Sequence, residues 1–397
     1  VGTGGLSMAL SSIETIVNTI RHLAPTVRIV LGGGIVTADP LPIFHHVKPD
    51  FGILGEGEET MTELMAALEG KAIPFTEIQG LLHWSNGAVY QGKERPAIAD
   101  LQTLPDPDLD GFGIREYLDI QQENTFDYHL TSFGTGRSFP ISASRSCPYK
   151  CTFCFHPVTQ TYRKLPPEYI IDRIMVLKKQ YRVSFFAIYD ELFDYNTQRI
   201  QVFCEQLLAR NTEITWTCQL RVNRVNLELL KLMKQAGCVL ISYGFESGSD
   251  TILRSMRKKI STSEIKKAVE LTRQARIAIQ ANFLFGDPAE TIETVQETLE
   301  FKNNNQLHFI DWSAVIPFPG TQLFKFCLDK ELVKDSISFT KTTSNASTFL
   351  WNSVQPPVNM TTMPDDVFQR LYLELRETSD ASHRKRMAVL EHLHFYS

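Results

Sequence analysis

The sequence predicts an α/β chain in which a partial (β/α)6 barrel follows a truncated Rossmann-like half-domain. Three observations carry this. Between about residues 139 and 320, six short apolar runs alternate with longer stretches of helical spacing, the pattern of a parallel sheet with helices packed on it. A second, shorter alternation of strand, glycine-rich turn and helix fills residues 1–92. Between the two lies Leu104-Pro105-Asp106-Pro107-Asp108-Leu109, which prolines keep out of regular structure.

The bounds agree. A chain of 397 residues, 43% hydrophobic, is expected to hold two or three domains with a sizeable core. The net charge of −5 leaves no nucleic-acid footprint and no polybasic membrane patch. No apolar run approaches the length of a membrane span, and no signal peptide is visible. The first residue is Val1 rather than Met, so the sequence reads as a fragment. Seven cysteines do not read as a disulfide framework and fit a reducing cytoplasm.

In residues 1–92, Ile13, Ile16, Val17 and Ile20 mark one face of a helix over 12–23. Val27-Arg28-Ile29-Val30-Leu31 is a strand that stops at Gly32-Gly33-Gly34. A helix over 41–47 and a strand over 51–54 follow, and Gly55-Glu56-Gly57-Glu58-Glu59-Thr60 opens a helix through Leu68. This alternation implies a parallel sheet covered on both faces. Glycines after a strand let a backbone approach a ligand closely, or simply turn. Asn86-Gly87 between two apolar runs marks a hairpin. Residues 93–138 read as an extended connector, with Tyr117, Phe126, Tyr128 and Phe133 available to pack beneath it.

The barrel occupies residues 139–325. Its first strand, Phe139-Pro140-Ile141-Ser142-Ala143-Ser144, leads into a cysteine-rich loop, and further strands fall at 184–189, 214–219, 239–243, 277–285 and 309–316. Catalytic groups in such barrels sit at the C-terminal ends of strands, where this chain places polar residues. Asp190 and Glu191 follow the second strand; a carboxylate there can hold an ammonium group, or both can be solvated acids at a helix start. Arg221 follows the third, as a clamp for a carboxylate or a partner in a structural ion pair. Ser242 and Glu246 end the fourth, with Glu246 suited to hydroxyl or ammonium contacts, and Asn282 lies in the fifth. In the extension over 326–397, the Ser/Thr-rich stretch 336–348 reads as a loop and 365–390 as a helix. Cys204, Cys218, Cys238 and Cys327 sit in apolar surroundings and read as buried, inert thiols.

The loop is Cys147-Pro148-Tyr149-Lys150-Cys151-Thr152-Phe153-Cys154. Three soft thiolates so close together suit one small metal object. A structural zinc site normally takes four ligands and a second paired motif; only His156 is near, and no second Cys pair exists. Three ligands on a four-iron cluster would leave one iron open.

Cys147-x-x-x-Cys151-x-x-Cys154, with Phe153 before the last cysteine, resembles the signature of the radical S-adenosylmethionine (SAM) superfamily. Val30-Leu31-Gly32-Gly33-Gly34 and Pro49-Asp50-Phe51-Gly52-Ile53-Leu54-Gly55-Glu56-Gly57-Glu58 resemble the back half of the cobalamin (B12)-binding domain joined to many of its members. The Asp-x-His-x-x-Gly motif of the front half is absent, and His22, His45 and His46 read as surface histidines. The resemblance implies a 4Fe-4S cluster on Cys147, Cys151 and Cys154 that reduces SAM to a 5′-deoxyadenosyl radical. It implies SAM contacts from Phe153, Asp190, Glu191, Arg221, Ser242, Glu246 and Asn282, and cobalamin contacts from Ser7, Gly32 and Gly33. It further implies a small-molecule substrate and a one-electron donor such as flavodoxin or ferredoxin. Methyl transfer through cobalamin is the leading expectation. A non-methylating oxidation, cyclisation or rearrangement is the alternative, and a cluster-bearing sensor without turnover is the rival from another class.

Overall fold

The computed structural model describes residues 1–123, 137–156, 159, 161–193, 195, 197–305, 307, 309–344 and 358–390. The chain forms two compact units that interleave along the sequence. The first gathers Val1–Ala99, Lys150–Gln160 and Val315–Met360; the second gathers Asp100–Tyr149, Thr161–Ala314 and Thr361–Ser397. Neither is a single contiguous stretch, unlike the division read from composition at residues 92, 138 and 325.

The first unit holds a five-stranded sheet in the order β1 (Gly2–Gly4), β2 (Val30–Gly32), β3 (Phe51–Ile53), β4 (Leu81–Ser85) and β5 (Ala88–Gln91). β1, β2 and β3 run parallel, whereas β4 and β5 form an antiparallel hairpin on β3, so the sheet is mixed rather than wholly parallel. Asn86 and Gly87 have φ of 50° and 79°, the left-handed pair that a tight hairpin turn demands. β1 carries no apolar run to announce it. Its Gly4 is required by close approach: a Cβ there would stand 2.5 Å from the Gly32 carbonyl oxygen. The helix Leu10–Leu23 buries Leu10, Ile13 and Val17 against Ile29, Leu31 and Phe44.

Residues 336–344, expected as loop, form a helix (Ser336–Ser344). Asp335 caps it, its Oδ2 accepting the Ser338 N–H at 2.6 Å. Phe339, Thr340 and Thr343 are buried, and Lys341 reaches Glu14 at 3.0 Å. Burial on one face outweighs the weak helix propensity of a Ser/Thr run.

The second unit is built on a six-stranded, curled parallel sheet. In chain order it adds β6 (Arg137–Ile141), the short antiparallel pair β7 (Ser144–Arg145) and β8 (Arg163–Lys164), and then β9 (Val183–Ile188), β10 (Thr215–Leu220), β11 (Cys238–Glu246), β12 (Ala278–Phe285) and β13 (Phe309–Ala314). The sheet order is β6-β9-β10-β11-β12-β13, every neighbouring pair parallel. All six expected strands are present within a few residues of their expected bounds. Helices between them pack Phe186, Trp216, Ile241, Tyr243 and Ile279 into one core on one face of the sheet. Ser261 with Glu264, and Thr291 with Thr294, close capping boxes that start two of these helices.

The connector contains a helix (Ile114–Glu123) rather than only extended chain. Ile114 and Leu118 are buried beneath it, while Tyr117 faces outward at 55% exposure, contrary to its expected packing. Phe126, Tyr128 and Phe133 lie outside the described residues. Among the described residues, no helix is long and apolar enough to cross a membrane.

Candidate active site at the barrel strand ends

Alternation along the barrel strands sorts side chains between two faces. Trp216, Ile241, Tyr243, Ile279 and Ala281 enter the core. Their alternates, Thr217, Gln219, Ser242, Gln280 and Asn282, line with Tyr189 a polar cavity of about 300 Å³. Ser242 and Asn282, named from sequence, are brought together. The Asn282 amide nitrogen donates to Ser242 Oγ at 2.8 Å and to the Tyr243 carbonyl at 3.1 Å. Both amide hydrogens are thereby used, so Asn282 Oδ1 and the Ser242 hydroxyl hydrogen remain to meet a ligand. Gln280 is oriented in the same way by Asp311, whose Oδ2 accepts its amide at 2.6 Å. Gln280 and Asp311 were not singled out in the sequence; their period-two spacing with Asn282 and Ser313 is the signal that marks them.

Asp190 does not present its carboxylate to a ligand. It is 1% exposed, accepts the Ala143 N–H at 2.6 Å and accepts the Ser144 hydroxyl at 2.6 Å. Burial pushes its carboxyl up to about 6, against the pull of the Ser144 and Ala143 hydrogen bonds. It therefore braces the turn between β6 and β7. Glu191, next to it, is exposed.

Arg221 and Glu246 are likewise engaged within the chain. Glu246, in a left-handed conformation at φ 63°, takes the Lys258 ammonium at 2.5 Å, and both side chains are nearly buried. The Arg221 guanidinium donates to the Lys258 carbonyl and lies over the Tyr149 ring, 3.7 Å from its centroid. Lys258 and Tyr149 gave no sequence signal, because Lys258 is twelve residues beyond Glu246 and Tyr149 belongs to another loop. After β12, Glu290 is 3% exposed and accepts the Gly286 N–H at 2.8 Å, fixing a glycine with φ 105°.

The cysteine loop is pinned at its base by β7 and β8. Cys151 is buried; Cys147 and Cys154 are half-buried, as is Phe153. Within the first unit, the Cys154 N–H donates to the Cys151 carbonyl at 3.2 Å and the Leu323 N–H to the Thr152 carbonyl at 3.2 Å. Phe155 fills the space above two glycines. A Cβ on Gly34 would come within 3.2 Å of its ring, and one on Gly320 within 2.7 Å. Among the described residues, no three His, Cys, Asp or Glu side chains are already drawn into a metal cage. Two cysteines outside this loop are poor metal donors. A ligand must be a thiolate, and burial pushes the Cys327 thiol up to about 11 and that of Cys204 higher still. In the first unit, Ser7 is 6% exposed in the turn Ser7–Ala9. Gly32 has open space where a Cβ would stand, whereas Gly33, at φ 84°, packs against the Gly5 backbone.

A family model described as the radical SAM superfamily matches residues 141–301. An uncharacterized methyltransferase of Pyrococcus horikoshii is 27% identical over 336 residues, covering 84% of this chain and 70% of that protein. The anaerobic magnesium-protoporphyrin IX monomethyl ester cyclase of Cereibacter sphaeroides is 30% identical over 347 residues, covering 84% of this chain and 54% of that protein. Among solved structures, the cobalamin-dependent S-adenosylmethionine radical enzyme OxsB, with aqua-cobalamin and S-adenosylmethionine bound, shares the fold. Its TM-score is 0.70 at 18% identity, covering 99% of this chain and 62% of that one. This chain thus spans between 54% and 70% of the length of these proteins.

Proposed function

We propose that this chain, which the radical SAM family model matches over residues 141–301, serves a cobalamin-dependent methyltransferase acting on a small molecule. The observation that carries this reading is the cysteine trio on the loop that leaves the first strand of a six-stranded parallel half-barrel. Cys147, Cys151 and Cys154 would hold a 4Fe-4S cluster, whose three thiolates leave one iron for SAM. When bound, the cluster supplies the electron that cleaves SAM, and cobalamin supplies the methyl group.

The chain's own residues position and shield. Asn282 and Ser242 offer an acceptor and a donor from the cavity wall to SAM, and Glu191 an exposed carboxylate near the end of β9. Phe153 offers an aromatic face within the cysteine loop. Ser7 and Gly32 of the first unit contact cobalamin in this reading, Ser7 bringing a hydroxyl and Gly32 leaving room. In this reading residues 1–92 are the cobalamin-side piece, 93–138 the connector, 139–325 the barrel and 326–397 a variable extension. The electron comes from a flavodoxin- or ferredoxin-like donor, in a reducing compartment such as the cytoplasm.

The 30% identity to the cyclase supports a second reading, a non-methylating oxidation or ring closure on the same cluster. The test is anoxic reconstitution with iron and sulfide, then SAM and dithionite. Formation of 5′-deoxyadenosine that vanishes when Cys147, Cys151 and Cys154 become alanine supports radical chemistry. A cluster-loaded protein that leaves SAM intact overturns it. Product mass then separates a methyl gain from hydrogen loss.

A further inference from the structure

We propose that Tyr149 seats the cysteine loop on the barrel, gripped by Arg221 and Arg224, and that Arg221 is a positioning residue for the cluster rather than a SAM contact. The inference rests on the reading that Cys147, Cys151 and Cys154 bind a cluster.

The geometry comes from a short 3-10 turn, Val222–Arg224, immediately after β10. Arg221 is the extended residue that caps this turn and Arg224 is its last residue. The Arg221 guanidinium carbon lies 3.7 Å from the centroid of the Tyr149 ring, and Arg224 Nη2 donates to the Tyr149 hydroxyl at 3.3 Å. One cation thus meets the face of the ring and another its polar tip. Arg221 is only 8% exposed, and its Nη2 is committed to the Lys258 carbonyl. Lys258 is fixed in turn by the Glu246 carboxylate at 2.5 Å. A guanidinium stacked on one face, with its Nη2 taken by the Lys258 carbonyl, has lost one arm of the fork that a bidentate grip on a carboxylate needs. Tyr149 stands two residues after Cys147, so fixing its ring restrains the backbone that carries that thiol. The chain from Glu246 through Lys258 and Arg221 to Tyr149 links the ends of β10 and β11 to the cysteine loop.

The test compares Tyr149→Phe, Tyr149→Leu and Arg221→Met with the parent chain. Hydrogen exchange of the peptide around 144–151 is measured on cluster-free protein. Iron content and the electron paramagnetic resonance signal of the reduced cluster are measured after reconstitution, and SAM binding by equilibrium dialysis. Tyr149→Leu and Arg221→Met should raise exchange about tenfold, the scale set by losing a largely desolvated cation–π contact, and should lower iron uptake. Tyr149→Phe keeps the stacked ring and should stay within about twofold of the parent. The proposal is overturned if Tyr149→Leu leaves exchange and iron content unchanged. It is equally overturned if Arg221→Met weakens SAM binding while exchange and iron stay at parental values. Should the parent chain take up no iron, the proposed function fails, and exchange in cluster-free protein still decides the clamp.

Discussion

Replacing Glu290 with glutamine should flatten the dependence of stability on pH above 6. The carboxyl is buried, and burial pushes it up to about 8; the Gly286 hydrogen bond opposes this and nearby Asp287 adds to it. Its ordinary value is 4.5. A carboxyl raised in the fold keeps a proton that the unfolded chain has released, so stability falls as pH rises through the folded value. With these two values, raising pH from 6 to 8 removes about 2 kcal/mol. Glutamine keeps the acceptor oxygen for Gly286 and carries no titrating proton. Denaturation in urea, followed by circular dichroism at pH 6 and pH 8, gives the loss for each protein. Asp190 and every other titrating group are common to both, so the difference between the two losses isolates Glu290. A loss about 2 kcal/mol larger in the parent chain is expected. Equal losses would refute the claim that this carboxyl is held protonated at the end of β12.

Three other outcomes can be measured alongside. Asp190→Ala strips the Ala143 amide and the Ser144 hydroxyl of their acceptor and should cost about 1–3 kcal/mol, with reduced iron uptake by the adjoining loop, read by denaturation and iron assay. Lys258→Met leaves Glu246 buried without its cation and should cost about 3–5 kcal/mol; adding Glu246→Leu should recover much of that, and a double-mutant cycle without such recovery would remove the pair from the account. Gly34→Val forces a branched side chain onto Phe155 and Leu6 and should cost about 1–3 kcal/mol, whereas Gly32→Ala, with open space around it, should fall within about 0.5 kcal/mol in the same melt.

The barrel was legible because each of its strands is a short apolar run bounded by turn residues, and burial requires just that composition. The cysteine loop stood out in the sequence because its information lies entirely in spacing. The intrachain partners of Asp190, Arg221 and Glu246 were not legible, although their positions were. What a charged side chain does depends on its partner, and these partners are distant in sequence: Ala143 lies 47 residues from Asp190, and Lys258 lies 37 from Arg221. The helix Ser336–Ser344 was hidden for a related reason. Its residues favour a helix only when Phe339, Thr340 and Thr343 find a surface to cover, and that surface is made some three hundred residues earlier, where Ser11 meets Ser344 at 2.6 Å.

That surface has a consequence for synthesis. The first unit draws on Val1–Ala99, Lys150–Gln160 and Val315–Met360, so its last part leaves the ribosome long after its sheet strands. Until then the Glu14 carboxylate lacks Lys341, and Gly34 faces an aromatic ring that Gly320 has not yet backed. A truncated product ending near residue 100 would expose the faces that those later segments cover.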